Sequence, residues 1–322
     1  MLGVAGAYRC AHNAPRCLTL DAATLARRFE ILTAALRGDA AGAQLSVRRA
    51  PGLLFADANR YQAVHDALRS ALFDHEDEEV DEEVEAVVAR VMESVVRRAP
   101  SVVAGISPAT LAVRVAFLRE ELGLDSERAA RVVRARPVLL QLSVDRTLRP
   151  TLLWLARRLR LLEEEESETT PQRSLNELDR ASRETLQKLV VAYPSVLGLS
   201  VKANLAPKLD ALAAYAANDP HEARTLVNQL VLKCPSVLGY SLHARLIPRL
   251  ETLRANGLEF AELAYFLTLT PLNFDAALAK RLESRAAPPN PRDKRQSTTQ
   301  REDLLELAAG PRGSPSASAS GS

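Results

Sequence analysis

The chain has 322 residues, of which 47% are hydrophobic and 4% aromatic, and its formal net charge is +2. Strands are usually enriched in β-branched and aromatic residues, so this composition favours an all-α protein. Its three cysteines lack any CxxC spacing, which excludes a disulfide framework and a zinc ribbon, and no apolar run reaches the roughly 18 residues of a membrane span, which predicts a soluble protein.

The two ends of the chain differ in composition from its middle. Residues 1–20 contain two arginines but no Asp or Glu, which is typical of mitochondrial and plastid transit peptides. The last residues carry Pro-Pro, Asn-Pro and a Ser/Ala/Gly run that cannot bury enough apolar surface to fold. We therefore predict a targeting or N-terminal segment at 1–28, a helical repeat domain at 29–285 and a disordered tail at 286–322.

The charges are segregated along the chain. Acidic residues concentrate in two runs, at 74–85 and 163–168. Residues 86–162 contain fourteen Arg against six carboxylates, and residues 185–258 contain eight basic residues against four acidic ones. The chain therefore consists of basic blocks separated by acidic spacers, which the small net charge of the whole chain does not reveal. The basic blocks favour nucleic acid as a partner.

An internal repeat is the strongest pattern in the sequence. The segments PVLLQLSVDRTLRPTLLWL, PSVLGLSVKANLAPKLDAL and PSVLGYSLHARLIPRLETL begin at Pro137, Pro194 and Pro235 and align without a gap. Each has a Leu three residues, a Ser six residues and a second Pro thirteen residues after its leading Pro. A weaker copy begins at Pro100, and degenerate copies begin at Pro51 and Pro271. This spacing predicts a solenoid of stacked repeats with insertions.

The conserved columns of the repeat predict a Ser-capped helix with one apolar face. Leucines recur eleven, fifteen and eighteen residues after each leading Pro, and steps of four and three place them on one side of a helix. The Ser is suited to an N-cap, because its hydroxyl accepts a hydrogen bond from a free backbone N–H. The second Pro either opens the longer helix or kinks it near its start. The leucines are Leu148, Leu152, Leu155, Leu205, Leu209, Leu212, Leu246, Leu250 and Leu253.

Start and stop signals delimit the helix before each leading Pro. Gly123 and Gly257 are suited to the left-handed position that closes a helix, and Asp125 is suited to cap the helix that follows it. Asp219, with a proline after it, predicts the start of a helix that runs to Cys234. Each unit therefore reads as helix, proline-marked turn, helix.

The pattern P-x-x-L-x-x-S-x-x-x-x-L-x-P, followed by a Leu-rich helix, resembles the mitochondrial transcription termination factor (mTERF) family over residues 50–285. The resemblance implies a curved α-solenoid of helix-turn-helix repeats, with a 3₁₀ turn in each unit and a basic concave side that holds duplex DNA or structured RNA. It also implies a role in organellar transcription, transcript maturation or ribosome assembly, in a mitochondrion or a chloroplast. The insertion at 163–180 departs from the family pattern, and its negative charge places it on the surface, away from phosphate.

Motifs of the common enzyme classes are absent from the sequence. It has no GxxxxGK[ST] phosphate loop, no GxGxxG, no HExxH and no GxSxG. The five histidines are scattered without ligand spacing, and the carboxylates cluster in charge runs that are usually solvated. We therefore expect no catalytic residue, no metal and no cofactor. We also expect a monomer off the membrane, and the family resemblance implies that it works with the organellar expression machinery.

One repeat column supplies the main candidates for contacts with nucleic acid. Fourteen residues after the leading Pro the chain has Arg114, Thr151, Lys208 and Arg249, and a solenoid places equivalent positions on the same side of the stack. This column borders the apolar stripe, where a long side chain can bury its stem and extend its charge. We therefore expect a ladder of phosphate contacts here. The remaining candidates are Arg146, Arg149, Arg158, Lys202 and Arg245.

Two other kinds of partner stay open from the sequence. Other α-solenoids use their concave surface to bind proteins, so a protein-binding scaffold is the alternative to a nucleic-acid-binding protein. Single-stranded RNA would need aromatic stacking platforms, but Trp154, Tyr193, Tyr215 and Tyr240 do not recur in one repeat column.

Overall fold

The computed structural model describes residue 8 and residues 10–73, 82–161, 175 and 178–286, and all regular structure in them is helical. The predicted all-α helical repeat is confirmed. The predicted tail, residues 74–81 of the first acidic run and most of the acidic insertion lie outside the described residues. The α-helices of the described part are α1 (Ala22–Ala35), α2 (Ala40–Arg49), α3 (Ala58–Leu72), α4 (Glu82–Arg98), α5 (Pro100–Gly105), α6 (Pro108–Ala116), α7 (Ser126–Ala135), α8 (Arg149–Arg158), α9 (Arg180–Ala192), α10 (Ala206–Ala216), α11 (Pro220–Lys233), α12 (Ile247–Ala255), α13 (Leu263–Thr268) and α14 (Pro271–Ala286).

The leading prolines end the first helix of each repeat. The residue before the proline has a φ between −135° and −141° and a ψ between 70° and 85° in the repeats at Pro51, Pro137, Pro194 and Pro235. Proline disfavours the α conformation in the residue before it, so the helix cannot continue. In these four repeats the proline then opens a five-residue 3₁₀ turn, as the family resemblance implies.

The repeated serines cap the second helix of each unit, as predicted. The hydroxyls of Ser143, Ser200 and Ser241 each accept a hydrogen bond from the backbone N–H three residues later, at 3.1 to 3.2 Å. In the weaker copy the cap lies one residue further along, where Ser107 accepts from the N–H of Thr110 at 3.1 Å. The caps satisfy backbone donors that have no partner within the helix.

The second proline lies inside a continuous helix that begins with a widened turn. A five-residue π-helical turn follows each of the three central serines and runs directly into α8, α10 or α12. In the first of them the N–H of Leu148 reaches the carbonyl of Ser143, five residues back, at 3.1 Å. Since a proline ring clashes with the carbonyl four residues before it, the wider turn makes room for the ring. Of the two alternatives, the structure therefore has the local distortion near the helix start.

The predicted apolar stripe is buried. The nine leucines of the three central repeats are at most 4% exposed. Gly123 and Gly257 have φ values of +75° and +66°, which confirms the left-handed helix ends. The carboxylates of Asp125 and Asp219 each accept a hydrogen bond from the backbone N–H three residues later, at 2.7 Å, which confirms both caps.

The chain forms two compact units, Met1–Leu250 and Glu251–Ser322, and the division between them lies within α12. The predicted helical repeat domain at 29–285 includes this division and stays a prediction. The predicted boundary after residue 28 falls inside α1, because that helix begins at Ala22. No described helix has the length and apolar character needed to cross a bilayer.

Two predicted features are not as the sequence suggested. The predicted surface insertion contributes Leu175 and Leu178 to the core, where both are buried. Its described end is therefore anchored in the first unit, because two apolar side chains are removed from water there. The degenerate copy at Pro271 opens the sixteen-residue α14 instead of a 3₁₀ turn, so the proline occupies the first turn of a long helix.

Candidate nucleic-acid interface

The side chains of the predicted phosphate ladder point into the stack of repeats. Lys208 is 2% exposed, and its Nζ donates to the carbonyl of Leu238 at 2.5 Å and to Oδ1 of Asn204 at 2.8 Å. A guanidinium N–H of the half-buried Arg114 donates to the carbonyl of Leu140. Leu140 and Leu238 are the same repeat position, three residues after the leading Pro of the following repeat. Arg114 and Lys208 therefore each bond their own repeat to the next one along the chain.

The predicted ladder residues lie largely inside the stack of repeats. Arg249 and Thr151 are also buried, at 7% and 4% exposure. Burial lowers the pKa of Lys208, because the ammonium is removed from water. A buried ammonium that is bonded to a backbone carbonyl has little charge to extend to phosphate, which weighs against Lys208 as a member of the ladder, and the burial of Arg249 weighs against that residue in the same way. Arg114 likewise donates one of its N–H groups to a carbonyl of the next repeat. That carbonyl accepts because the last carbonyls of a short helical turn have no donor within the turn.

Two of the other candidates are neutralised by carboxylates. Arg149 forms a two-pronged ion pair with Glu121, in which Nε donates to Oε2 at 2.7 Å, and it also pairs with Asp145. The hydrogen bond to Glu121 is the main cause that raises the pKa of Arg149. Arg158 pairs with Asp210 at 2.9 Å. The pairs with Glu121 and Asp210 connect α8 to the preceding and the following repeat, and all three pairs leave little charge for a ligand.

Three candidates remain at the surface in the π turns. Arg146 and Lys202 are exposed, and neither side chain has an ion pair within the described part of the chain. The guanidinium of Arg245 lies over the ring of Tyr240, with its carbon 3.9 Å from the ring centroid. All three sit just after a Ser cap, so they remain candidates for contacts with an anion.

A larger group of arginines, all exposed except the half-buried Arg97, lies at the carboxyl-terminal ends of the first helices. Arg49 of α2 donates to the backbone carbonyl of Arg97 at 3.0 Å, and Arg98 of α4 donates to the carbonyl of Ala135 at 3.2 Å. The hydroxyl of Ser94 donates to the carbonyl of Arg134 at 2.7 Å. These bonds bring the ends of α2, α4 and α7 together, and the arginines gather there: Arg48, Arg49, Arg97, Arg98, Arg134 and Arg136.

A surface pocket of about 350 Å³ opens between α4 and α7. Five guanidiniums and one carboxylate line it, and we call it the arginine pocket. A second depression of about 180 Å³ shares three of these arginines and continues toward the amino-terminal ends of the two helices. The charged residues of the arginine pocket are Arg90, Glu93, Arg97, Arg98, Arg131 and Arg134.

The comparison with family models supports the resemblance drawn from the repeat. The mTERF family model matches residues 180–275. We call these residues, which are similar to that family, the mTERF region. The region contains the repeats at Pro194 and Pro235, whose helices and turns have the same order as those of the repeat at Pro137. No curated protein matches the chain.

The candidate residues are divided between the mTERF region and the helices before it. Lys202 and Arg245 are the two candidates in the mTERF region that are not buried, whereas Lys208 and Arg249 are part of its interior. The arginine pocket belongs to earlier helices, which carry the same helix, proline turn and helix order. Three of the pocket's five arginines, Arg97, Arg98 and Arg134, lie two or three residues before a leading proline, but this spacing alone does not predict the pocket.

Proposed function

We propose that the protein is a non-enzymatic regulator of organellar gene expression that binds duplex DNA or structured RNA through backbone phosphates. The observation that carries the proposal is the group of exposed arginines on α2, α4 and α7, in a chain with an mTERF region. A guanidinium has five N–H donors in a planar fork, which matches the oxygens of a phosphate. Such contacts supply affinity that does not depend on base sequence and orient the protein on the duplex.

The helical repeat is suited to such a role because it repeats its surface. Stacked units place equivalent helix ends side by side, and the hydrogen bonds between α2, α4 and α7 fix them in that arrangement. The backbone of a duplex repeats its charge in the same way, with one phosphate per about 3.4 Å of rise on each strand. A repeated row of cations and a repeated row of anions can therefore meet at several points.

The first test is the salt dependence of binding by the unmodified protein. We expect it to bind labelled duplex DNA or duplex RNA with a log Kd that rises linearly with log salt, because each phosphate contact releases counterions. Three or more contacts give a slope of at least about 2.7, since each contributes about 0.9 on duplex DNA. Fluorescence anisotropy at several salt concentrations measures the slope, with a single strand of the same sequence as the comparison. Absent or salt-independent binding of both duplexes would contradict the proposal and favour the protein-binding scaffold.

The organellar location has its own test. A fluorescent reporter fused to about the first forty residues is expected to enter mitochondria or plastids, because an arginine-bearing start without acidic residues has the character of a presequence. Confocal imaging against organelle markers gives the readout. The same fusion with Arg9 and Arg16 changed to Glu is the control and is expected to stay in the cytosol. A cytosolic signal from the unmodified fusion would argue against targeting by this segment.

A further inference from the structure

We propose that the arginine pocket between α4 and α7 is the place where the protein holds backbone phosphates of its nucleic acid. The inference rests on the proposed function and gives it a location that neither the family match nor the repeat pattern supplies. The pocket lies outside the mTERF region at 180–275, so the matched segment alone would lack it.

The pocket is formed by matching faces of two equivalent helices. On α4, Arg90 and Arg98 are eight residues apart and share one face, since i and i+8 lie on the same side of a helix. On α7, Arg131 and Arg134 are three residues apart and share the opposing face. At about 1.5 Å of rise per residue, the row on α4 extends over about 12 Å. That length matches several successive phosphates of one strand.

The pocket retains positive charge after its ion pairs are counted. Arg97 bonds to Asp39 at 2.5 Å and to Glu93 at 3.0 Å, and Arg131 pairs with its helix neighbour Glu127 at 3.1 Å. The hydrogen bond to Asp39 is the main cause that raises the pKa of Arg97. These two arginines are therefore fixed and largely neutralised.

The other three arginines of the pocket have no carboxylate partner among the described residues. Arg90 donates from Nε to the carbonyl of Ala86 at 3.0 Å, and Arg98 donates from Nη1 to the carbonyl of Ala135 at 3.2 Å. Each retains further N–H donors, because a guanidinium has five of them. The bonds to backbone hold both groups in place, so less side-chain freedom is lost when a phosphate binds. Arg134 is exposed and is the third such cation.

Compensation of the partial negative charge at helix carboxyl termini does not account for the whole cluster of arginines. Arginines near a carboxyl-terminal helix end offset the partial negative charge of the last carbonyls, which explains the position of Arg98. Arg90 lies at the middle of the seventeen-residue α4, and Arg131 lies in the middle of α7, beyond the reach of that effect within one turn. Arg131 is paired with Glu127, whereas Arg90 has no carboxylate partner among the described residues and extends the positive surface into the groove, where a bound polyanion would give it a partner.

The test removes the two cations whose side chains do not join helices. Arg90→Ala/Arg134→Ala leaves the bond from Arg98 to Ala135 intact, so we expect unchanged helicity and thermal stability. On the duplex that the unmodified protein binds, we expect Kd to rise about tenfold or more, because a hydrogen bond to a charged group is lost at each site. The slope of log Kd against log salt should fall by about 0.9 for each lost contact.

A matched variant distinguishes the loss of pocket arginines from a general loss of positive charge. Arg27→Ala/Arg157→Ala also removes two exposed arginines without a carboxylate partner in the described part of the chain, and it lies outside the pocket. We expect it to keep the affinity and slope of the unmodified protein. Equal losses in the two variants, or no loss in Arg90→Ala/Arg134→Ala, would overturn the pocket while the proposed function stands. Failure of the unmodified protein to bind any duplex would instead overturn the proposed function and the pocket with it.

Discussion

Replacing Leu209 by Ala is expected to lower the free energy of unfolding of the first unit by about 2 to 5 kcal/mol. Leu209 has no exposed surface and lies on the apolar face of α10, between Leu205 and Leu212. Alanine removes the transfer free energy of the lost methyl and methylene groups and leaves a cavity that the stacked helices fill only in part. Neighbouring repeats depend on the same face, so the loss is not confined to one helix.

Urea unfolding followed by fluorescence measures this change. Trp154 is the single tryptophan of the chain and lies on α8 in the first unit, so its emission reports on that unit. Leu18→Ala is the matched control, because Leu18 is 72% exposed and the same truncation should change the free energy of unfolding by less than about 0.5 kcal/mol. Equal losses at Leu18 and Leu209 would show that the stripe does not form the core.

The repeat could be predicted from the sequence because its determinants are local. A leucine at fixed steps of three and four defines a helix face whatever lies across from it, and a Ser six residues after a Pro caps the helix that follows it. The family match at 180–275 covers the two repeats in which these columns are most complete. The widened turn before the second proline was not predictable in the same way, since a proline at that position is compatible with a helix start or a kink.

The candidate site was less predictable, because its partners come from distant parts of the sequence. The acceptor of Lys208 is a carbonyl thirty residues later, and Arg149 and Arg158 meet carboxylates 28 and 52 residues away. A basic residue beside an apolar stripe is compatible with exposure or with burial, and only the neighbouring repeat decides between them. The sequence did contain a signal for the arginine pocket, in the basic pair Arg97 and Arg98 before Pro100. Basic residues at this position also offset the partial negative charge at the carboxyl terminus of a helix, so spacing alone does not assign them a ligand.

Replacing Lys208 by Met is expected to lower the free energy of unfolding of the first unit by about 1 to 3 kcal/mol and to leave nucleic-acid binding unchanged. Methionine keeps most of the buried stem but cannot donate, so the carbonyl of Leu238 loses the hydrogen bond that joins two repeats. The lowered pKa of Lys208 shows that burial of the ammonium itself carries a cost. Removing that cost offsets part of the loss, which places the expected change in the lower half of the range.

The exposed Lys202, six residues earlier in the same repeat, is the control for this substitution. Lys202→Met should leave the free energy of unfolding within about 0.5 kcal/mol of its original value, because the side chain is exposed and has no ion pair in the described part of the chain. If Lys202 contacts a phosphate, the slope of log Kd against log salt falls by about 0.9 in Lys202→Met. The slope for Lys208→Met should equal that of the unmodified protein. A shallower slope for Lys208→Met with full stability would restore the phosphate ladder and show that Lys208 leaves the interior to reach its ligand. Lower stability with an unchanged slope would establish that this lysine holds the repeats together.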